Sequence, residues 1–121
     1  MNEDPDPTVV LQRMAAAAIL SEARKGRRMG QVQLAALLGV SQSSLCRIEQ
    51  GATEETVAVV VEVARHLNLE ARALFMRVLG ARRIAANLDC SLFSGQSNAD
   101  IRSALLQHLD AAGLLAPEGD A

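Results

Sequence analysis

Two short helical periods separated by a glycine constrain this chain more than any other feature. Gln31 to Leu38 has helical apolar spacing, Gly39 breaks it, and Ser41 offers an N-cap for a second short helix from Gln42 to about Glu49, stopped at Gly51. Two helices crossing at about 90 to 120° need a small residue where their axes approach. Ala35 stands there, and Gly39 permits the left-handed turn between them. Leu34, Leu38, Val40, Leu45 and Ile48 are then expected on the inner faces, and Gln42, Ser43, Cys46, Arg47 and Gln50 on the outer face of the second helix.

The rest of the chain reads as helix as well. Residues 1–7 are acidic, contain Pro5 and Pro7, and fit a disordered lead-in. An Ala-rich helix is expected from Thr8 to about Lys25, ended by Gly26. Thr53 is the expected cap of the next helix, with Glu54 and Glu55 in its first turn, where the helix dipole favours negative charge, and Asn68 as its αL stop. By propensity Val57 to Val63 also suits a buried strand. Ala64, Leu67 and the flanking caps continue a helical period, however, and favour helix. A further helix is expected from about Glu70 to Leu79, with a possible extension past Gly80 to Ala86, and then a loop or frayed end from Asn87 to Gly95. Ser97 caps a last amphipathic helix carrying Ile101, Leu105, Leu106 and Leu109, with a Schellman stop at Gly113 and a loose tail from Pro117.

Composition agrees with closely packed helices. Half of the 121 residues are apolar, chiefly small aliphatics, with two Phe and no Trp or Tyr. No run of about 18 apolar residues and no basic-then-apolar N-terminus stands out, so neither a membrane span nor a signal peptide is expected, and the protein is read as cytoplasmic. Cys46 and Cys90 lack metal-ligand spacing and are expected as thiols. His66 and His108 read as isolated surface or capping residues. No metal, cofactor or catalytic role is expected, since there is no nucleophile elbow, phosphate-binding loop or carboxylate pair in a Gly-rich setting.

The stretch from Gln31 to Gln50 resembles the helix-turn-helix of the lambda-repressor-like (XRE) family. Gln31, Gly39 to Gln42, Arg47 to Glu49 and Gly51 carry the resemblance. It extends more widely from about Leu20 to Phe75, taking in Arg24 and the stretch from Val63 to Leu69. It implies an all-α, five-helix DNA-binding domain, assigned to residues 8–79; the helix before Leu20 and residues 80–121 lie outside the resemblance, and the latter are read from their pattern alone as a helical extension for dimerisation. The helix from Gln42 would then enter the major groove of double-stranded DNA, with Gln42, Ser43, Ser44 and Arg47 reading bases. Gln31, Arg27, Arg28, Ser41 and Gln50 would meet phosphates, and Gln31 would also steady Gln42. Gly30 replaces the family's usual Ser or Thr cap, and Cys46 replaces a common Ser, which reads as a neutral small contact with a redox-sensing thiol as the alternative.

The net charge of −2 hides a basic middle. From Arg13 to Gln50, six cations (Arg13, Arg24, Lys25, Arg27, Arg28, Arg47) stand against Glu22 and Glu49, a local +4, while the segments on either side each carry −3. Arg24 to Arg28 fits either a solvated helix end or phosphate contact. The function implied is a bacterial, plasmid or phage transcription regulator, a nucleoid-associated repressor occupying an inverted repeat as a homodimer. Leu74, Phe75, Val78, Ile101, Leu105 and Leu109 are the expected dimer residues, although such residues also suit a monomer core. Two rival readings are an antitoxin that binds DNA and a toxin partner, and a protein-interaction module without a DNA role.

Overall fold

The structure, a computed structural model, describes residues 6–115. Of the lead-in expected to be disordered, residues 1–5 lie outside these residues, as does the whole tail expected to be loose from Pro117. Asp6 and Pro7 lie within them and are ordered parts of a helix start: the Asp6 carboxylate accepts from the Thr8 N–H at 2.9 Å, and Pro7 occupies the first turn, where a missing N–H costs nothing. Six helices follow: α1 (Pro7–Gly26), α2 (Gln31–Leu38), α3 (Gln42–Glu49), α4 (Val57–Leu67), α5 (Ala71–Ala86) and α6 (Asn98–Ala111). A 3-10 turn at Cys90–Phe93 stands where a loop or frayed end was expected. No strand occurs among the described residues.

Helix α1 is the axis of the fold. Ala15 to Ala18, Ile19 and Leu20 are all buried, so its middle is covered on every side. Alanine allows this, because a side chain of one methyl lets neighbouring helices approach closely from several directions. α5 lies along α1, and α3, α4, α6 and the 3-10 turn also touch it. α1 ends at Gly26, close to the expected stop, but the glycine is itself the last helical residue and does not make the turn. Arg28 takes the left-handed conformation instead (φ 57°), and the Met29 N–H reaches back to the Arg24 carbonyl at 3.2 Å.

Local chemistry sets most of the other boundaries. Gly39 (φ 74°) closes α2, with the Val40 N–H on the Ala35 carbonyl at 3.0 Å. Asn68 (φ 57°) and Gly113 (φ 76°) close α4 and α6 by the same six-residue bond, Leu69 to Ala64 at 2.8 Å and Leu114 to Leu109 at 3.0 Å. Ser97 caps α6, its hydroxyl accepting from the Asp100 N–H at 3.1 Å.

The start of α4 corrects the expected cap. Thr56, not Thr53, accepts from the Val59 N–H at 3.1 Å, which leaves Glu54 and Glu55 outside the helix. Their charge is used over a longer range. Arg82 of α5 donates through Nε and Nη2 to Glu55, both at 2.9 Å, and also reaches Glu54, while Arg13 Nε of α1 lies 3.0 Å from Glu54. The valine run is helical, with Val60, Val63, Ala64 and Leu67 buried on one stripe and Val57 and Val61 exposed.

The C-terminal third completes the same core. α5 runs without a break through Gly80, so the division expected between residues 79 and 80 falls inside a helix. Phe93, Leu105 and Leu109 join α1 and α5 in one apolar cluster, and Arg77 Nε donates to the Leu114 carbonyl at 2.8 Å, fastening the end of the described chain to α5. Four expected dimer residues are therefore core residues: Leu74, Val78, Leu105 and Leu109 are each at most 1% exposed. Amphipathic spacing marks a face that must be covered, and here α1 covers it. Phe75 and Ile101 keep part of their surface.

Candidate nucleic-acid interface

α2 and α3 form a two-helix corner. Leu34, Ala35 and Leu45 are buried inside it, with Leu38 and Ile48 partly covered. Val40, expected on the inner side, is 39% exposed, since it lies in the turn after the αL glycine. Gln42, Ser43, Ser44 and Arg47 are exposed on α3 and Gln50 just after its end, while Cys46 is half-buried rather than fully on the outer face. Ser41 begins the helix: its hydroxyl accepts from the Ser44 N–H and donates to the Ser44 hydroxyl, both at 3.0 Å. That side chain is already engaged in capping. Gly30 supplies no side-chain cap to α2.

The residue missed in the sequence is Glu49. It is 3% exposed at the end of α3, and Arg24 of α1 grips it through two parallel bonds, Nε to Oε2 at 2.8 Å and Nη2 to Oε1 at 2.9 Å. Arg24 Nη1 also donates to the Met29 carbonyl at 2.8 Å. The hydrogen bond that Arg24 donates to Glu49 raises the Arg24 pKa above its ordinary value against the opposing effect of burial, so the guanidinium stays charged. Arg24 is thus neither a solvated helix end nor a free cation for phosphate. Its partner lies 25 residues away, and only the Arg-Ile-Glu ending of the motif hinted at it.

Gln31 joins the same group. Its Nε2 donates to Glu49 Oε1 at 3.0 Å, so the amide is held by α3's last residue rather than by Gln42 at α3's start. Arg102 of α6 completes the cluster, with Nη1 donating to the Glu49 main-chain carbonyl at 2.7 Å. Three helices besides α3 therefore hold one end of α3.

Gly51 (φ 79°) follows immediately. A Cβ placed on it would lie 2.9 Å from Met14 Cα and 3.0 Å from Met14 N, so the turn leaving α3 rests directly on the α1 backbone. Arg27 and Arg28 are exposed in the α1–α2 turn, with Arg27 Nη2 3.5 Å from the Asn68 carbonyl.

A helix-turn-helix family model matches residues 20–74, from the last turns of α1 to the first turn of α5. That model is of the lambda-repressor-like (XRE) helix-turn-helix type. The match supports a DNA-binding helix-turn-helix regulator, and the corner of α2 and α3 is the helix-turn-helix itself. Comparison with curated proteins and with solved structures found no match. The rest of α5, the 3-10 turn and α6 lie beyond the lambda-repressor-like segment yet share its core. Among the described residues no helix is long and apolar enough to cross a membrane, and no three His, Cys, Asp or Glu side chains gather as a metal site requires. His66 is less isolated than its sequence context implied: its Nε2 lies 3.7 Å from Glu62 on the surface of α4.

Proposed function

We propose that the chain is a sequence-specific transcription regulator that reads duplex DNA with α3, acting in the cytoplasm as a repressor on an inverted repeat. One observation carries this reading: α3 turns a narrow face of exposed donors outward, while its opposite side is fixed by Leu45 and the Glu49 cluster. Gln42 is the main base reader, because its amide suits the N6 and N7 edge of adenine. Ser43, Ser44 and Arg47 lie on the same exposed surface. Phosphate contact rests chiefly on Arg27 and Arg28, both exposed. Gln50 is exposed at the far end of α3, whereas Gln31 and Ser41 have only their remaining hydrogen-bonding capacity to offer DNA.

A reading head of this size covers few base pairs, and two heads on a two-fold axis span half-sites about 34 Å apart. The homodimer proposed here uses the outer row of α5, where Arg72, Met76, Leu79 and Arg83 recur at helical spacing with Met76 57% and Leu79 43% exposed, beside the half-covered Phe75. Sedimentation equilibrium and gel-shift titration test both parts. The paired change Met76→Glu with Leu79→Glu should yield a monomer with weakened DNA binding. Arg27→Ala should weaken binding to all sequences and flatten the log–log salt slope by about 0.9 for one lost phosphate contact. Wild-type affinity in a monomeric variant would contradict the dimer, and an unchanged salt slope would remove Arg27 from the interface.

A further inference from the structure

The carbonyls of the last turn of an α-helix have no partner within the helix. In α3 the turn that follows supplies three of them: Gln50 N–H bonds to Cys46 at 3.0 Å, Ala52 N–H to Arg47 at 2.9 Å and Gly51 N–H to Ile48 at 3.1 Å. The fourth, on Glu49, takes the Arg102 guanidinium at 2.7 Å, across 53 residues of chain. A cation there also faces the negative end of the α3 dipole. Arg102 is itself well anchored, because α6 is held in the core by Leu105 and Leu109, both 0% exposed. The cleft between α6 and the end of α3 is lined by Met14, Gln50, Asn98, Ala99 and Arg102, so this arginine and the exposed Gln50 border the same space. An eight-residue helix has little stability of its own and keeps its orientation through such tertiary holds.

We propose that Arg102 is a positioning residue for DNA reading: α6, outside the family-matched segment, braces the C-terminal end of α3 through the Glu49 carbonyl and so sets how α3 is presented to the groove. The inference rests on the DNA-reading role of α3. The residues beyond 74 then belong to the reading head as well as to the core, and whatever displaces α6 also loosens α3.

The test uses the full chain with Arg102→Met, which keeps the aliphatic stem, Arg102→Lys, which keeps a charged donor, and Gln107→Ala on the exposed side of α6 as control. In the free protein, amide exchange at Gln50, Gly51 and Ala52 should quicken about tenfold in Arg102→Met, as expected for one lost charge-assisted hydrogen bond, while Val63 and Ala64 in α4 stay unchanged. Affinity for a duplex selected by the wild type should fall about tenfold with an unaltered salt slope, Arg102→Lys should recover part of both losses, and the control should match the wild type. Unchanged exchange at residues 50–52 overturns the proposal, as does a uniform rise along the chain, which marks a contribution to global stability alone. A salt slope lowered by about 0.9 overturns it by making Arg102 a direct phosphate contact. If the wild type binds no duplex, the DNA-reading role fails, and the exchange measurement still decides whether the brace exists.

Discussion

Replacing Gly51 with alanine introduces two separate penalties whose sizes follow from the structure. Gly51 has φ 79°, and a left-handed conformation costs an L-residue about 1–2 kcal/mol. The added methyl would also meet Met14 Cα at 2.9 Å, Met14 N at 3.0 Å and the Arg13 carbonyl carbon at 3.1 Å. These are backbone atoms in the most buried helix, so the strain cannot be relieved by turning a side chain, and overpacking of this kind costs about 1–3 kcal/mol. Alanine recovers roughly 0.4–1 kcal/mol by restricting the unfolded chain. The net expectation is a loss of about 2–4 kcal/mol. Gly39→Ala is the matched control, because Gly39 has φ 74° and nothing within 4 Å of its Cβ position, so it carries the conformational penalty alone, about 1 kcal/mol. Urea unfolding of both variants, at equal m-value, measures the difference. If Gly51→Ala is no more destabilising than Gly39→Ala, the close seating of α3's exit on α1 is wrong.

Other positions give sharper or opposite signs. Glu49→Ala should cost about 3–5 kcal/mol in chemical denaturation, since it leaves Arg24 buried without its carboxylate, and the joint change Arg24→Met with Glu49→Leu should cost clearly less than the sum of the single changes. Gly30→Ser should stabilise by a few tenths of a kcal/mol, because Gly30 occupies an extended N-cap with open space around it and no cap bond; an unchanged urea midpoint would count against that cap geometry. Arg28→Gly should raise the urea midpoint by about 1 kcal/mol equivalent while weakening DNA binding, opposite effects that separate its backbone role from its charge. The Asp89 carboxyl is held below its usual pKa by the Ser91 hydroxyl and N–H. A lowered folded pKa adds stability above the unfolded value that is lost as pH falls through the folded one, so Ser91→Ala should reduce the acid-side slope of stability, read from unfolding midpoints across that range.

Features set by chemistry within a few residues were legible in the sequence. Ser41 and Ser97 act as caps through their hydroxyls, Gly39, Asn68 and Gly113 act as the left-handed stops their residue types favour, and the α2–α3 corner follows from Gly39 and Ser41. Competition between near neighbours was harder to read. Thr53 and Thr56 are both plausible caps, and Thr53 with two following glutamates is the better local choice, but Arg82 claims Glu55 from 27 residues away. Gly26 does end α1, but the left-handed turn that a glycine there suggests falls two residues later at Arg28, so that the Met29 N–H returns to the Arg24 carbonyl. The apolar residues of α5 and α6 announced a face to be covered without naming its cover, and α1 took the place expected for a second subunit. Within the candidate site, the exposed side of α3 followed from helical spacing. The cluster at Glu49 did not, because its members come from four helices and no local pattern links Arg24, Gln31, Glu49 and Arg102.

The central claim is that α3 reads DNA bases through Gln42. Selecting bound duplexes from a random pool with wild-type protein, then measuring affinities of wild type and Gln42→Ala for the selected site and its single-base variants, tests it most directly. The account predicts a two-fold symmetric site bound by the wild type at least about a thousandfold more tightly than unrelated duplex. In Gln42→Ala, discrimination at one position per half-site should fall by about 1–3 kcal/mol, with the remaining positions little changed. No enrichment of any sequence, or a Gln42→Ala protein with the wild-type preference at every position, would contradict it.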